Sequence, residues 1–326
     1  MTPKTDTKAC SQESHILEKE FFMRIHHLNC STFCPLGGHF VDRLSSGIKE
    51  SHLVCHCLLV ETHEGLVLID TGLGMKDVFK PNERMSPFLS GLLRPKLDAN
   101  ETAIRQIRAL GFSPSDVRHI ILTHLDFNHA GGIDDFPLAK VHVMNSEVRA
   151  ATNAKGFISR QRYRPSQLTH AKDWNTYYAE GEKWFGFEAV RQLEGLPPEI
   201  LMIPLAGHTE GHAGIAVNTD QGWLLHAGDA YFFRGEINND YSCPVGLRGY
   251  QKLMQVNQKM RAFNQMRLRD LARNHHDVRI FCAHDSIEFE DLSALPPRLL
   301  AGTTDVYENI LWMKKNMQSE NSLNHM

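Results

Sequence analysis

The chain lacks a surplus of either charge, a long apolar run, and any repeated or low-complexity stretch. Its 38 acidic and 35 basic side chains leave a net charge of −3, so no global field draws it to nucleic acid or to an anionic membrane. No segment approaches the ~20 apolar residues of a membrane span. Met1 to Glu20 offers no apolar stretch that could form the core of a signal peptide. Cysteine is sparse and odd in number: Cys10, Cys30, Cys34, Cys55, Cys57, Cys243 and Cys282 do not read as a disulfide framework. Reduced thiols in a cytoplasmic protein are the plainer expectation. What is present is a 326-residue chain of 42% hydrophobic content, ordinary for a globular protein with a sizeable core.

Residues 1–20 have few large apolar groups and are expected to form a flexible extension, with a single domain over 21–326. Strands are expected from Met23, over 53–60 and over 66–70, the last two joined by a turn at Gly65. Asn100 reads as a helix N-cap, with Ile104, Ile107 and Leu110 at helical spacing and Gly111 as the stop. A short buried strand at Ile120–Leu122 follows, then strands at 141–143, 200–204, 213–218, 222–227 and 278–282. A long helix is expected over 248–272, with Leu253, Val256, Met260, Phe263 and Met266 on its apolar face, and a tail helix carrying Val306, Ile310 and Leu311. Two segments, 80–98 and 155–185, break the pattern and are read as cleft walls, the second without regular structure. Two face-to-face sheets with helices outside satisfy this order.

The polar motifs fall where strands end. Leu122-Thr-His-Leu-Asp-Phe-Asn-His129 offers the imidazoles of His124 and His129, the carboxylate of Asp126 and the amide oxygen of Asn128. Imidazole with carboxylate suits zinc and accepts manganese or iron. Gly131 and Gly132 would let the backbone pass close to such a centre. Three later strand ends add to it: His208 between glycines in Ala206-Gly-His-Thr-Glu-Gly-His212, Asp229 in Ala227-Gly-Asp-Ala230, and His284 in Ala283-His-Asp285.

Together with Asp70-Thr-Gly72, these stand in the order of the five motifs of the metallo-β-lactamase superfamily, which the chain resembles from about 70 to 285. The resemblance implies an α/β fold, the αββα sandwich, in which two mixed β-sheets carry helices on their outer faces and hold metal at one edge. It implies one metal among His124, Asp126, His208 and a bridging Asp229, and another among Asn128, His129, Asp229 and His284. Asp70 would orient a ligand from behind. The family box is usually His-x-His-x-Asp-His, whereas this chain reads His-x-Asp-x-Asn-His. Asp126 hardens the first site and the neutral Asn128 weakens the second, so two zinc ions of unequal affinity are expected, with iron or manganese as alternatives.

The reaction expected is hydrolysis of a small-molecule ester, a lactone or thioester, of the lactonase-like or hydroxyacylglutathione-hydrolase-like kind. The catalytic residues would be Asp229 holding both ions, Asn128 accepting a hydrogen bond from the attacking water, and Tyr231 placing a phenol near the substrate oxygen. An iron-type redox enzyme, a phosphodiesterase and a non-catalytic ligand-binding relative are the alternatives. His212 reads as a turn-stabilising residue outside the metal set. Cys55 and Cys57 share one strand face in the core. Arg160, Arg162 and Arg164 read as a solvated face, or else as a clamp for an anionic substrate. No nucleic acid or membrane partner is expected; a homo-oligomer is left open.

Overall fold

Apolar strands whose two faces are both covered read as near-continuous hydrophobic runs, and the runs at 53–60 and 66–70 are of this kind. The computed structural model describes residues 24–168, 174–238, 243–295 and 298–299; the expected extension over 1–20 and the tail helix around Val306 to Leu311 lie outside them. Strands β1 (Arg24–Phe33), β2 (Leu53–Thr62), β3 (Gly65–Ile69), β4 (Pro95–Lys96), β5 (Val117–Ile121), β6 (Lys140–Met144) and β7 (Trp174–Tyr177) belong to one sheet. Strands β8 (Glu182–Trp184), β9 (Phe187–Gln192), β10 (Ile200–Pro204), β11 (Ala213–Thr219), β12 (Gly222–His226) and β13 (Val278–Phe281) form the other. A short β14 (Arg298–Leu299) pairs with β1 at the edge of the first sheet.

Both sheets are mixed. β1, β2 and β3 run antiparallel while β3, β5, β6 and β7 are parallel, and β12 with β13 is the parallel pair of the second sheet. The period-two alternation of strand side chains sorts β2 between two cores. Leu58 and Val60 meet Met202, Ile215 and Leu224 of the facing sheet, whereas Cys57 and Leu59 join Ala103 and Ile107 of the outer helix Ala103–Ala109. Leu268 and Leu271 of helix Gln258–Asn274 cover the outside of the second sheet. The order is therefore helix, sheet, sheet, helix. Among the described residues no helix is long and apolar enough to cross a membrane.

Four local expectations are corrected. The helix over 248–272 is two helices, Val245–Met254 and Gln258–Asn274, and Asn257 caps the second by accepting from the Met260 amide. Its apolar stripe also faces outward, Phe263 being 55% exposed and Met260 46%. Asn264 and Gln265 turn inward instead, because the Ala206 carbonyl and Glu236 accept their amides, and Arg267 covers the ring of Phe263. The described residues of 155–185 are not irregular: they hold helices Phe157–Arg162 and Pro165–Leu168 and the strands β7 and β8. The N-cap expected at Asn100 is Thr102, which starts helix Ala103–Ala109.

Register sets the functional edge. Ile69 lies beside Ile121 in β3 and β5, and His226 beside Phe281 in β12 and β13. The chain thus leaves two parallel pairs, one in each sheet, at their carboxyl ends, where open sheets gather ligands.

Candidate metal centre

Each of the anticipated donors arrives on a turn just past a strand. After β5 the chain passes Thr123 and His124 and enters the single helical turn Phe127–Ala130, which carries Asn128 and His129. Asp229 follows β12, His284 follows β13, and His208 lies past β10. His124, Asp126, His208 and Asp229 form one buried group whose donor atoms lie within 4.8 Å of one another; His129, Asp229 and His284 form a second.

Asp229 joins them through separate oxygens. Its Oδ2 lies 3.4 Å from His208 Nε2 and 3.8 Å from His124 Nε2, and its Oδ1 lies 3.2 Å from His284 Nε2 and 3.4 Å from His129 Nε2. Asp126 Oδ2 stands 3.1 Å from His208 Nε2. Ligands on a tetrahedral zinc with ~2.0 Å bonds sit about 3.3 Å apart, so this spacing fits an ion in each group. His124 Nε2, His129 Nε2 and Asp229 Oδ1 are buried with no hydrogen-bond partner, an expensive condition unless a cation meets them. Asn128 stands at the second group, its amide nitrogen 3.2 Å from His284 Nε2.

The supporting bonds aim the imidazoles. His129 Nδ1 donates to Asp70 Oδ2 at 2.8 Å and His284 Nδ1 donates to the Val54 carbonyl at 2.6 Å, which turns both Nε2 atoms toward the pocket. Asp70 also accepts from the amide and hydroxyl of Thr123. It holds φ at +56°, a strained backbone for a non-glycine residue that such anchoring can sustain. His212 is outside both groups: its Nε2 accepts from the Asp229 amide at 2.9 Å. Gly131 and Gly132 pack against the Asp70-Thr-Gly72 turn rather than the donors, and a Cβ on Gly132 would come within 2.9 Å of the Thr71 carbonyl.

Electrostatics give the pocket a marked appetite for positive charge. Burial alone would push the carboxyl of Asp229 up, but His284 and His129 outweigh it and hold it well below the usual range. Burial would likewise lower His129 and His284, yet Asp229, helped by Asp70 for His129, raises each to about 10. Protons on these two rings stand where a divalent cation would.

Two anticipated residues are placed differently from the expectation. Tyr231 is fully buried beneath the second sheet, and its hydroxyl donates to Glu288 at 2.9 Å. Arg162 is no solvated group: it is 1% exposed and faces Asp126 Oδ1 at 3.5 Å, while Arg160 is exposed and Arg164 half-buried. Cys55 and Cys57 are buried, but in different core clusters.

Two residues that no motif marked join the site. Glu147 ties two donor loops together, its Oε1 accepting from the Leu125 amide at 3.1 Å and its Oε2 from the Gly211 amide at 2.9 Å. Tyr250, on helix Val245–Met254, lines a cavity of about 190 Å³ that opens on Asn128 and His284. Its phenol is pushed well above its ordinary value, first by burial and then by the charges of Asp126 and Asp229. Phe232 stacks on the His284 ring at 5.4 Å and forms part of the same wall.

The model of the metallo-beta-lactamase superfamily matches residues 52–284, and the chain belongs to that superfamily as a metallo-β-lactamase-fold hydrolase. It is 41% identical over 264 residues to the protein named "Probable metallo-hydrolase Rv2300c" of Mycobacterium tuberculosis, which covers 81% of this chain and 80% of that relative. An N-acyl homoserine lactonase of Bacillus cereus is 28% identical over 59% of this chain and 72% of its own. A crystal structure of a Bacillus thuringiensis AiiA mutant with N-decanoyl-L-homoserine at its active site shares the fold. Its TM-score is 0.63 at 20% identity, over 82% of this chain and 95% of the other.

Proposed function

We propose that this hydrolase acts on a small, uncharged acyl ester, with lactones the leading substrate and thioesters next, and that it works with two zinc ions of unequal affinity. The observation that carries this reading is the cavity. It begins at Asn128 and His284 and is walled by Phe33, Leu53, Leu93 and Leu247. Among the described residues that line it, only Asn128, Tyr250 and His284 bring polar side chains, and none is an arginine or lysine. An apolar chain or ring with a carbonyl head suits such a lining, whereas a phosphodiester would enter without a countercharge. The lactonase names among the relatives support the same choice.

When bound, divalent ions here supply Lewis-acid polarisation of a carbonyl and lower the pKa of an attacking water. The chain's own groups do the rest. Asp229 holds the two halves of the centre together. Asn128 adds a neutral donor beside His284, which makes the second half the weaker. Tyr250, kept protonated by burial and by the nearby carboxylates, donates its hydroxyl to the substrate oxygen, the role anticipated for Tyr231. Phe232 and the apolar wall keep bulk water from the reacting carbonyl.

The test is metal analysis of protein purified without added metal, followed by a panel of lactone, thioester, phosphodiester and β-lactam substrates. Lactone turnover that falls when the metal is chelated is the expected result. Silence on every ester at full metal loading would sink the proposal.

A further inference from the structure

We infer that Arg162 and Asp126 form one electrostatic unit, in which the insertion helix Phe157–Arg162 supplies the buried countercharge that lets a carboxylate serve in the first half of the metal centre. The inference rests on the metal reading of the pocket and concerns a residue outside every motif.

Asp126 divides its oxygens between two tasks. Oδ2 faces the donors, 3.1 Å from His208 Nε2 and 3.6 Å from His124 Nε2. Oδ1 faces backward to Arg162 Nη1 at 3.5 Å. The same nitrogen donates to the main-chain carbonyl of His208 at 3.1 Å, and Nη2 donates to the Met254 carbonyl. One guanidinium therefore faces the side chain of one donor as an ion pair and hydrogen-bonds the backbone of another. Both charges are out of water, with Arg162 1% and Asp126 2% exposed. At that burial a lone carboxylate is severely penalised, and removing one partner leaves the other uncompensated.

Charge counting explains why this matters here. The first group contains two carboxylates, Asp126 and the shared Asp229, with two imidazoles. His129 and His284 stand beside Asp229, so without Arg162 it is Asp126 whose Oδ1 would be left with no cation facing it. With it, the group keeps the net charge that Asp229 and an uncharged third donor would give. Arg162 is thus a positioning and charge-balancing residue of the first half, as Asp70 is an orienting residue behind His129 in the second.

The experiment is a double-mutant cycle on the full chain, read by thermal unfolding with and without saturating zinc. Arg162→Met should lower the metal-free midpoint by about 5 °C or more. It should lower the zinc-loaded midpoint by less than half as much, because the ion itself then compensates Asp126. Adding Asp126→Asn should recover much of the metal-free loss, and Arg162→Lys should retain most of the original stability. If Arg162→Met does not fold, the Asp126→Asn/Arg162→Met double variant is expected to fold; its failure would overturn the inference. So would equal losses with and without zinc together with additive effects of the two substitutions, since a purely structural arginine behaves that way. A parent protein whose midpoint zinc does not move would instead defeat the metal reading.

Discussion

His212 holds Asp229 from behind: its Nε2 accepts from the Asp229 amide at 2.9 Å while its Nδ1 donates to the Leu205 carbonyl at 3.1 Å. The imidazole thereby fixes the turn of the carboxylate that faces both donor groups to the loop that carries His208. Replacing His212 with alanine should loosen both halves at once and weaken metal affinity on the order of 10–100-fold. Titration of the metal-free protein with zinc against a chelating dye reads this directly. Unchanged affinity for both ions would confine His212 to its own turn.

The two raised imidazoles set a pH dependence. Free histidine titrates near ~6.5, and in the fold His129 and His284 hold their protons to about 10. The folded metal-free protein therefore binds more protons than the unfolded chain between those values. The stability they contribute is complete below ~6.5 and is lost as pH rises through about 10. The metal-free melting temperature should fall from pH 7 to pH 10, and zinc should flatten that slope. Calorimetry at pH 8 in buffers of different ionisation heat should show about two protons released on full loading. A flat metal-free profile would contradict the assignment.

Asn128 stands beside the second group, its amide nitrogen 3.2 Å from His284 Nε2, and is proposed as that group's neutral ligand. Asn128→Asp should tighten the weaker site, by roughly 10-fold or more if the new oxygen reaches the ion, and raise the metal content of protein purified without added metal. Unaltered occupancy would place Asn128 outside the coordination sphere.

The two tyrosines make opposite predictions. Tyr250→Phe should reduce kcat on an ester substrate by about 10–100-fold with metal content intact. Tyr231→Phe should keep turnover but lower stability by about 1 kcal/mol, because Glu288 loses a buried donor. The reverse pattern would return the catalytic role to Tyr231.

The strands and the donor loops were legible because both depend on short-range pattern. Short apolar runs of three or four residues followed closely by Asp70, His124, Asp229 and His284 mark where parallel strands finish, whatever lies beside them. Burial direction was not legible in the same way. The stripe from Leu253 to Met266 has helical spacing, yet it is broken between two helices and exposed, since Asn264 and Gln265 find the Ala206 carbonyl and Glu236, partners that no local pattern records. Arg162 and Tyr250 belong to that second kind. Their partners, Asp126 and the cavity beside His284, are reached only through tertiary folding, and an arginine or tyrosine amid polar residues carries no mark of it. The burial of Tyr231 against Glu288 was hidden for the converse reason: nearness to Asp229 along the chain says nothing of which side its ring will take.

The shared use of Asp229 has a consequence for synthesis as well as for chemistry. The first group is closed once residue 229 has been made, whereas the second waits for His284, whose ring is held by Val54 near the other end of the chain. A chain emerging from the ribosome can thus assemble one half-centre while β13 is still untranslated, and contacts of such long sequence separation form late. Capture of an early ion would pin the β5 and β12 turns together and hold open the edge on which β13 must dock. Under the two-ion proposal, metal supply during translation would bear on folding yield, separately from any effect on the finished enzyme.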